Sequence, residues 1–144
     1  MKKVLLLITV IALVFILTSC SEDEVLPSKG TIKGKVTNNN QPVSGAYVLL
    51  MDSGEMVAGN QPLSNGSITG EQGNYTILLV EPDKYYFVAA VQDINGDGQY
   101  TPGTDKIGYY GNYLGQSWIP EEITVGAGET LEDINITSLI VMPA

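Results

Sequence analysis

Three observations in the 144-residue sequence predict an all-β chain folded as a single antiparallel β-sandwich of about seven strands. Short runs rich in Val, Ile, Tyr and Thr alternate in polarity, clusters of Gly, Pro, Asn and Asp interrupt them about every 8–12 residues, and no window carries the apolar period of a helix. The length supports one domain, since domains of roughly 100–200 residues are typical. The division that follows is a leader over 1–19, a tether over 20–29 and the sandwich over 30–144.

In the leader, Met1-Lys2-Lys3 supplies a positive start, and Val4 to Leu17 is apolar apart from Thr9. Fourteen residues fall inside the roughly 7–15 of a signal-peptide apolar region and short of the ~18 that would argue a membrane span. The run ends in Leu17-Thr18-Ser19-Cys20, which resembles the lipobox of bacterial lipoproteins. That resemblance implies cleavage before Cys20 and acylation of its thiol, with palmitate as the expected chain. Ser21-Glu22-Asp23-Glu24 reads as a solvated tether and also resembles the acidic export signal of Bacteroidetes surface lipoproteins. An outer-membrane, surface-exposed location is the expectation, with the membrane as a partner through the lipid.

Within the sandwich, Thr31-Ile32-Lys33-Gly34-Lys35-Val36 places Ile32, Gly34 and Val36 on one face and both lysines on the other. Asn38-Asn39-Asn40-Gln41-Pro42 breaks the strand. Ala46 to Met51 is too apolar for an edge and belongs inside a sheet. From Asp52 to Gly73 only Met56-Val57-Ala58 and Ser67-Ile68-Thr69 are candidate strands. Asn74 to Val80 and Lys84 to Val91 are strong strands, and Glu81-Pro82-Asp83 between them predicts a hairpin. Tyr85, Phe87, Ala89 and Val91 share one face of the second strand, and Tyr86, Val88 and Ala90 the other. Ile107–Gly111, Ile123–Val125 before a Gly126-Ala127-Gly128 turn, and Leu131–Val141 in two pieces complete the set.

Several of these stretches together resemble the carboxypeptidase regulatory-like domain. They are Gly34-Lys35-Val36, Gln41-Pro42-Val43-Ser44-Gly45-Ala46-Tyr47-Val48, Thr69-Gly70-Glu71-Gln72-Gly73-Asn74-Tyr75, Asp83-Lys84-Tyr85-Tyr86-Phe87, and Ile123-Thr124-Val125 with Gly128-Glu129. The likeness covers roughly Gly30 to Ile136. It implies an immunoglobulin-like, prealbumin-like sandwich and a non-catalytic accessory or surface module. Gly70-Glu71 departs from the family, where an Asp commonly precedes the Gly-x-Tyr.

The chemistry concentrates in Asp93-Ile94-Asn95-Gly96-Asp97-Gly98-Gln99. Oxygen side chains at positions one, three and five, with Gly at six, are what a loop needs to wrap a hard cation such as Ca²⁺. Asp93, Asn95 and Asp97 would give side-chain oxygens, Gln99 a backbone carbonyl and Asp105 a closing carboxylate. The loop resembles that of an EF-hand without its helices. Its twelfth position is Thr104 rather than a bidentate Glu, and three carboxylates imply a weak site, with Kd about 10⁻⁴–10⁻³ M. The competing reading is a metal-free Asn-Gly/Asp-Gly turn.

Tyr100, Tyr109, Tyr110, Tyr113 and Trp118 cluster after this loop. They suit a stacking platform for a carbohydrate or protein partner, or a cap over the open end of the sandwich. Seven basic residues, all Lys, against 16 acids give a net charge of −9, which excludes a phosphate-backbone partner and hence nucleic acid. With no His, no Arg and Cys20 as the single Cys, nucleophilic triads and His-based acid–base chemistry are absent, so no enzymatic activity and no catalytic residue are expected. A structural stalk or adhesin domain is the alternative function. An isopeptide bond from Lys33 or Lys35 to Asn135 would suit it, but strand alternation points all three out of the core.

Overall fold

The computed structural model describes residues 28–52, 65–115 and 117–144; Cys20 and the Met56-Val57-Ala58 run lie outside the described residues. These residues are all-β, and the strands in order are β1 (Gly30–Lys35), β2 (Thr37–Asn38), β3 (Gln41–Pro42), β4 (Tyr47–Asp52), β5 (Asn65–Ile68), β6 (Asn74–Val80) and β7 (Tyr85–Gln92). There follow β8 (Lys106–Tyr109), β9 (Gly111–Tyr113), β10 (Trp118–Pro120), β11 (Ile123–Thr124), β12 (Thr130–Leu131) and β13 (Ile140–Val141).

In place of an expected single set of about seven strands, the described residues hold thirteen, divided among four sheets. One sheet runs β12-β1-β6; a second of six strands runs β13-β8-β7-β4-β5 with β11 also on β7; β2–β3 and β9–β10 are small hairpins. The division has local causes. Asn39 and Asn40 adopt φ of 50° and 61°, so the run after Val36 reverses at once into a two-residue hairpin loop. Gly111, at φ 131°, turns the chain out of β8 into a hairpin that the sequence reading had not separated.

The predicted pairing of Asn74–Val80 with Lys84–Val91 does not form. β6 pairs with β1 and β7 with β4, β8 and β11, so Glu81-Pro82-Asp83 crosses between the two large sheets. The Asp83 N–H that a hairpin would use is donated to the Val125 carbonyl at 2.9 Å. Burial explains the choice: Tyr75, Ile77 and Val80 from β6 and Tyr86, Val88 and Ala90 from β7 join one apolar core, which they can line from opposite sides only if the strands belong to different sheets.

The expectation of purely antiparallel pairing is also corrected. β12 pairs parallel to β1, and Val36 makes a parallel bridge to Ile136, because the chain turns at Gly126–Glu129 and then runs alongside β1 in the same direction. Asn135 is exposed between buried Ile134 and Ile136, and its Oδ1 accepts the Lys35 backbone N–H at 2.9 Å. Lys33 Nζ turns to Glu132 at 3.2 Å. Both arrangements agree with the outward pointing read from alternation.

β7 is apolar on both faces, as its alternation predicts. Tyr86, Val88 and Ala90 enter the main core, while Ala89 and Val91 enter a second cluster with Met51, Ile107 and Tyr109, against which Leu49, Phe87, Tyr100 and Trp118 pack. β4 is central, between β5 and β7, as expected for Tyr47-Val48-Leu49-Leu50.

Gly34 marks the closest approach between β1 and the returning chain. A Cβ there would lie 2.0 Å from the Ile134 carbonyl oxygen, and that oxygen accepts the buried Tyr75 hydroxyl at 2.5 Å. Burial, and secondarily the neighbouring Tyr110, push the Tyr75 hydroxyl pKa upward. Tyr75→Phe leaves the Ile134 carbonyl without this donor and is expected to cost about 1 kcal/mol, read as a lower denaturation midpoint at unchanged slope. A raised folded pKa means the contribution is intact below the unfolded value of about 10 and is lost as pH rises beyond it. Alkaline destabilisation above pH 10 should therefore be weaker in the Phe variant than in the wild type.

Candidate metal centre

β7 ends at Gln92 and β8 begins at Lys106, its register partner, so the intervening loop starts and ends on neighbouring strands. Within it, one carboxylate oxygen from each of Asp93, Asp97 and Asp105 lies within 4.8 Å of the others, and this acidic triad could hold a metal ion. Sequence reasoning grouped these three, and the fold brings them together.

The loop is wound by its own side chains. Asp93 accepts the Gly96 N–H on Oδ1 at 2.6 Å and the Gly98 N–H on Oδ2 at 2.8 Å. Asn95 Oδ1 accepts the Asp97 N–H at 3.1 Å, and Asp97 Oδ1 accepts the Gln99 N–H at 2.8 Å. Gly96 and Gly98 have φ of 74° and 75°, with nothing within 4 Å of an added Cβ, so the backbone conformation rather than space requires glycine. Gln99, expected to offer its carbonyl, is tied into the loop through its N–H on Asp97.

Asp105 differs from the other two. Its side chain is 0% exposed, and its oxygens accept the Ile94 N–H at 2.8 Å and the Thr101 N–H at 2.7 Å. It thereby joins the first turn of the loop to the last. The ion pairs among the described residues, Lys29–Glu81 and Lys33–Glu132, lie elsewhere, so this buried carboxylate has backbone dipoles but no cationic side chain. Buried charges are ordinarily paired or bound to metal.

Thr101 was not singled out from sequence. Besides its N–H on Asp105, its hydroxyl donates to Asp97 Oδ2 at 3.2 Å, the oxygen that also receives Asn95 Nδ2 at 2.8 Å. The Gln99 N–H foremost and then the Asn95 amide hold the Asp97 carboxyl below the usual range against the opposing effect of desolvation, with the Thr101 hydroxyl a lesser contributor.

The aromatic set is split by the fold rather than gathered over an open end. Tyr110 packs on the main core, whereas Tyr100, Tyr109 and Trp118 cover the outer face of the six-stranded sheet. Trp118 meets Tyr109 edge-on at 6.3 Å and Tyr113 at 4.6 Å and 38°. Its indole N–H is buried without an acceptor.

The two kinds of carboxylate predict different behaviour without metal. Asp105→Asn places an amide NH₂ against backbone N–H donors in a buried site and is expected to cost about 1–3 kcal/mol even in chelator. Asp97→Ala, at an exposed position, should move the calcium-free Tm far less. Thermal scans of both variants in chelator check this; equal losses would remove the distinction drawn here.

Searches against protein-family models, curated proteins and solved structures return no match for this chain.

Proposed function

We propose that this chain is a non-catalytic outer-membrane lipoprotein whose calcium-stabilised β-sandwich acts as a binding or accessory module at the cell surface. The observation that carries the calcium part is the convergence of Asp93, Asp97 and Asp105, one of them buried with no cationic side chain to match it. Asp93, Asn95, Asp97 and Asp105, with the Gln99 carbonyl, would hold the ion. An all-oxygen donor set without His or thiolate suits a hard cation, and Ca²⁺ accepts irregular oxygen coordination where Mg²⁺ demands a near-ideal octahedron. The ion would supply the positive charge that the three carboxylates lack, and its chemistry is structural.

The prealbumin-like assignment draws support from the main core, which combines Ile32, Ile77 and Val80 of the three-stranded sheet with Val48, Leu50, Tyr86 and Val88 of the six-stranded one. Two sheets lining one apolar layer is a sandwich arrangement. The family likeness itself rests on the short motifs quoted above. The anchor rests on the leader and Leu17-Thr18-Ser19-Cys20.

Calcium should raise stability by RT ln(1 + [L]/Kd), which is about 1.4 kcal/mol at ten times Kd. For a domain of this size that is a few degrees in Tm. Asp97→Ala should abolish the calcium-dependent part while the protein stays folded, and Mg²⁺ should substitute poorly because it demands near-ideal octahedral geometry. Identical Tm in millimolar Ca²⁺ and in chelator would mean that the loop is a turn and nothing more.

The anchor has its own test. Cys20→Ser removes the acyl acceptor, so metabolic lipid labelling should be lost and an unprocessed precursor or a soluble protein should accumulate. Equal labelling of variant and wild type would refute the lipobox.

A further inference from the structure

The exposed large apolar side chains fall in small groups, one of which sits on an irregular backbone. Ile94, Val141 and Met142 lie around the metal loop, Leu114 and Ile119 on the β9–β10 hairpin, and Tyr47 opposite Ile68 on β4 and β5. Leu78 and Leu79 are adjacent, 61% and 70% exposed, and sit on a distorted backbone. Between the pairs Ile32↔Ile77 and Gly30↔Val80, β6 takes three steps where β1 takes two, so the leucines form a bulge. Leu79 has φ of 58°, a region a γ-branched side chain seldom enters. Asn65 Nδ2 pins the bulge by donating to the carbonyls of Leu78 at 3.2 Å and Leu79 at 2.9 Å. Strain of this kind persists where surrounding structure enforces it, and marks a position worth a functional reading.

The bulge lies at the pole where the chain enters the fold. Gly30 pairs with Val80, Lys29 makes an ion pair with Glu81, and the Ser28 carbonyl accepts the Gly128 N–H at 3.0 Å. Cys20 precedes Ser28 by eight residues, a reach of at most roughly 30 Å. The metal loop is at the far end of β7, whose eight residues span about 26 Å. Tyr85, 62% exposed, begins β7 at the bulge's own pole.

We propose that Leu78 and Leu79 form a membrane contact, inserting into the outer surface of the bilayer that holds the acylated Cys20. The inference rests on the lipidation reading. A tether this short holds the pole near the lipid at high effective concentration, so a shallow apolar contact suffices to orient the domain. The charges around it lean acidic, against an anionic lipid surface: Lys29 is paired with Glu81, Lys84 adjoins Asp83, the Glu129 carboxylate accepts the Gly126 N–H, and the tether brings Glu22, Asp23 and Glu24. A zwitterionic surface fits, with little dependence on salt. The domain would then stand with the metal loop directed away from the membrane.

Acylation consumes the sequence's single Cys, so Leu79→Cys or, at the opposite pole, Gln41→Cys adds one free thiol for a nitroxide. The full chain is processed in an outer-membrane bacterium and reconstituted into phosphatidylcholine–phosphatidylethanolamine vesicles, with intact mass reporting the acyl chains. The label at 79 should be relaxed by dissolved oxygen and shielded from a water-soluble nickel chelate, in low and high salt alike. The label at 41 should show the reverse, and adding Leu78→Asp should return the label at 79 to water. Equal chelate access at 79 and 41 in acylated protein overturns the contact while the anchor stands. Missing acyl mass refutes the anchor instead, and a chain carrying hexahistidine in place of Cys20 on vesicles bearing a zinc-loaded chelator lipid, diamagnetic and so silent toward the label, then reads the contact alone. A label at 79 immobilised in detergent, on a species of twice the mass, assigns the leucines to a contact between copies and also overturns the proposal.

Discussion

Everything in this fold answers to one constraint, the apolar character of β7 on both of its faces. Tyr86, Val88 and Ala90 must be covered on one side, and Ala89 and Val91 on the other. The first demand is met by the sheet containing β1 and β6. The second is met by smaller parts: the β9–β10 hairpin with Trp118, and Tyr100 from the acidic loop. Fully burying a side chain of this kind is worth about 1.5–3 kcal/mol, so neither cover is optional. The loop that carries the carboxylates is therefore also part of the packing, through Tyr100.

The organisation of the acidic loop from Asp93 to Asp105 follows from where its two ends are fastened. Gln92 and Lys106 are register partners, and Asp105 closes the loop from inside by taking backbone N–H groups eleven residues and four residues before it. Half-buried Asp93 takes one loop N–H on each oxygen, and exposed Asp97 takes the Gln99 N–H on Oδ1 and both the Asn95 amide and the Thr101 hydroxyl on Oδ2, so lone pairs remain on Asp93 and on Asp97 Oδ1 for an outside partner.

What could be read from the sequence was whatever depends on near neighbours. Alternation placed Ile32 and Val36 inward and Lys33 outward, separated the two faces of β7, and grouped Asp93, Asp97 and Asp105 from their spacing. What could not be read depends on partners far along the chain. Glu81-Pro82-Asp83 has the composition of a hairpin turn, and only the Val125 carbonyl that captures Asp83 shows that it crosses between sheets. The parallel pairing of β12 with β1 leaves no local mark, since two residues of strand carry no period. Thr101 carries no sequence mark of its role, which lies in an ordinary backbone N–H to Asp105 and a hydroxyl bond to Asp97.

That parallel pairing also fixes an order of events in time. β1 is among the first segments of the domain to be made, yet its outer edge is completed by residues about a hundred positions later, as in the bonds from Lys33 to Glu132 and from Lys35 to Asn135. Contacts of such long sequence separation slow folding, because the loop must close before the contact rewards it. Until those residues arrive, β1 has one edge unpaired and half its core face open. The native topology therefore closes only when the last segments of the chain are in place, however early β1 is made.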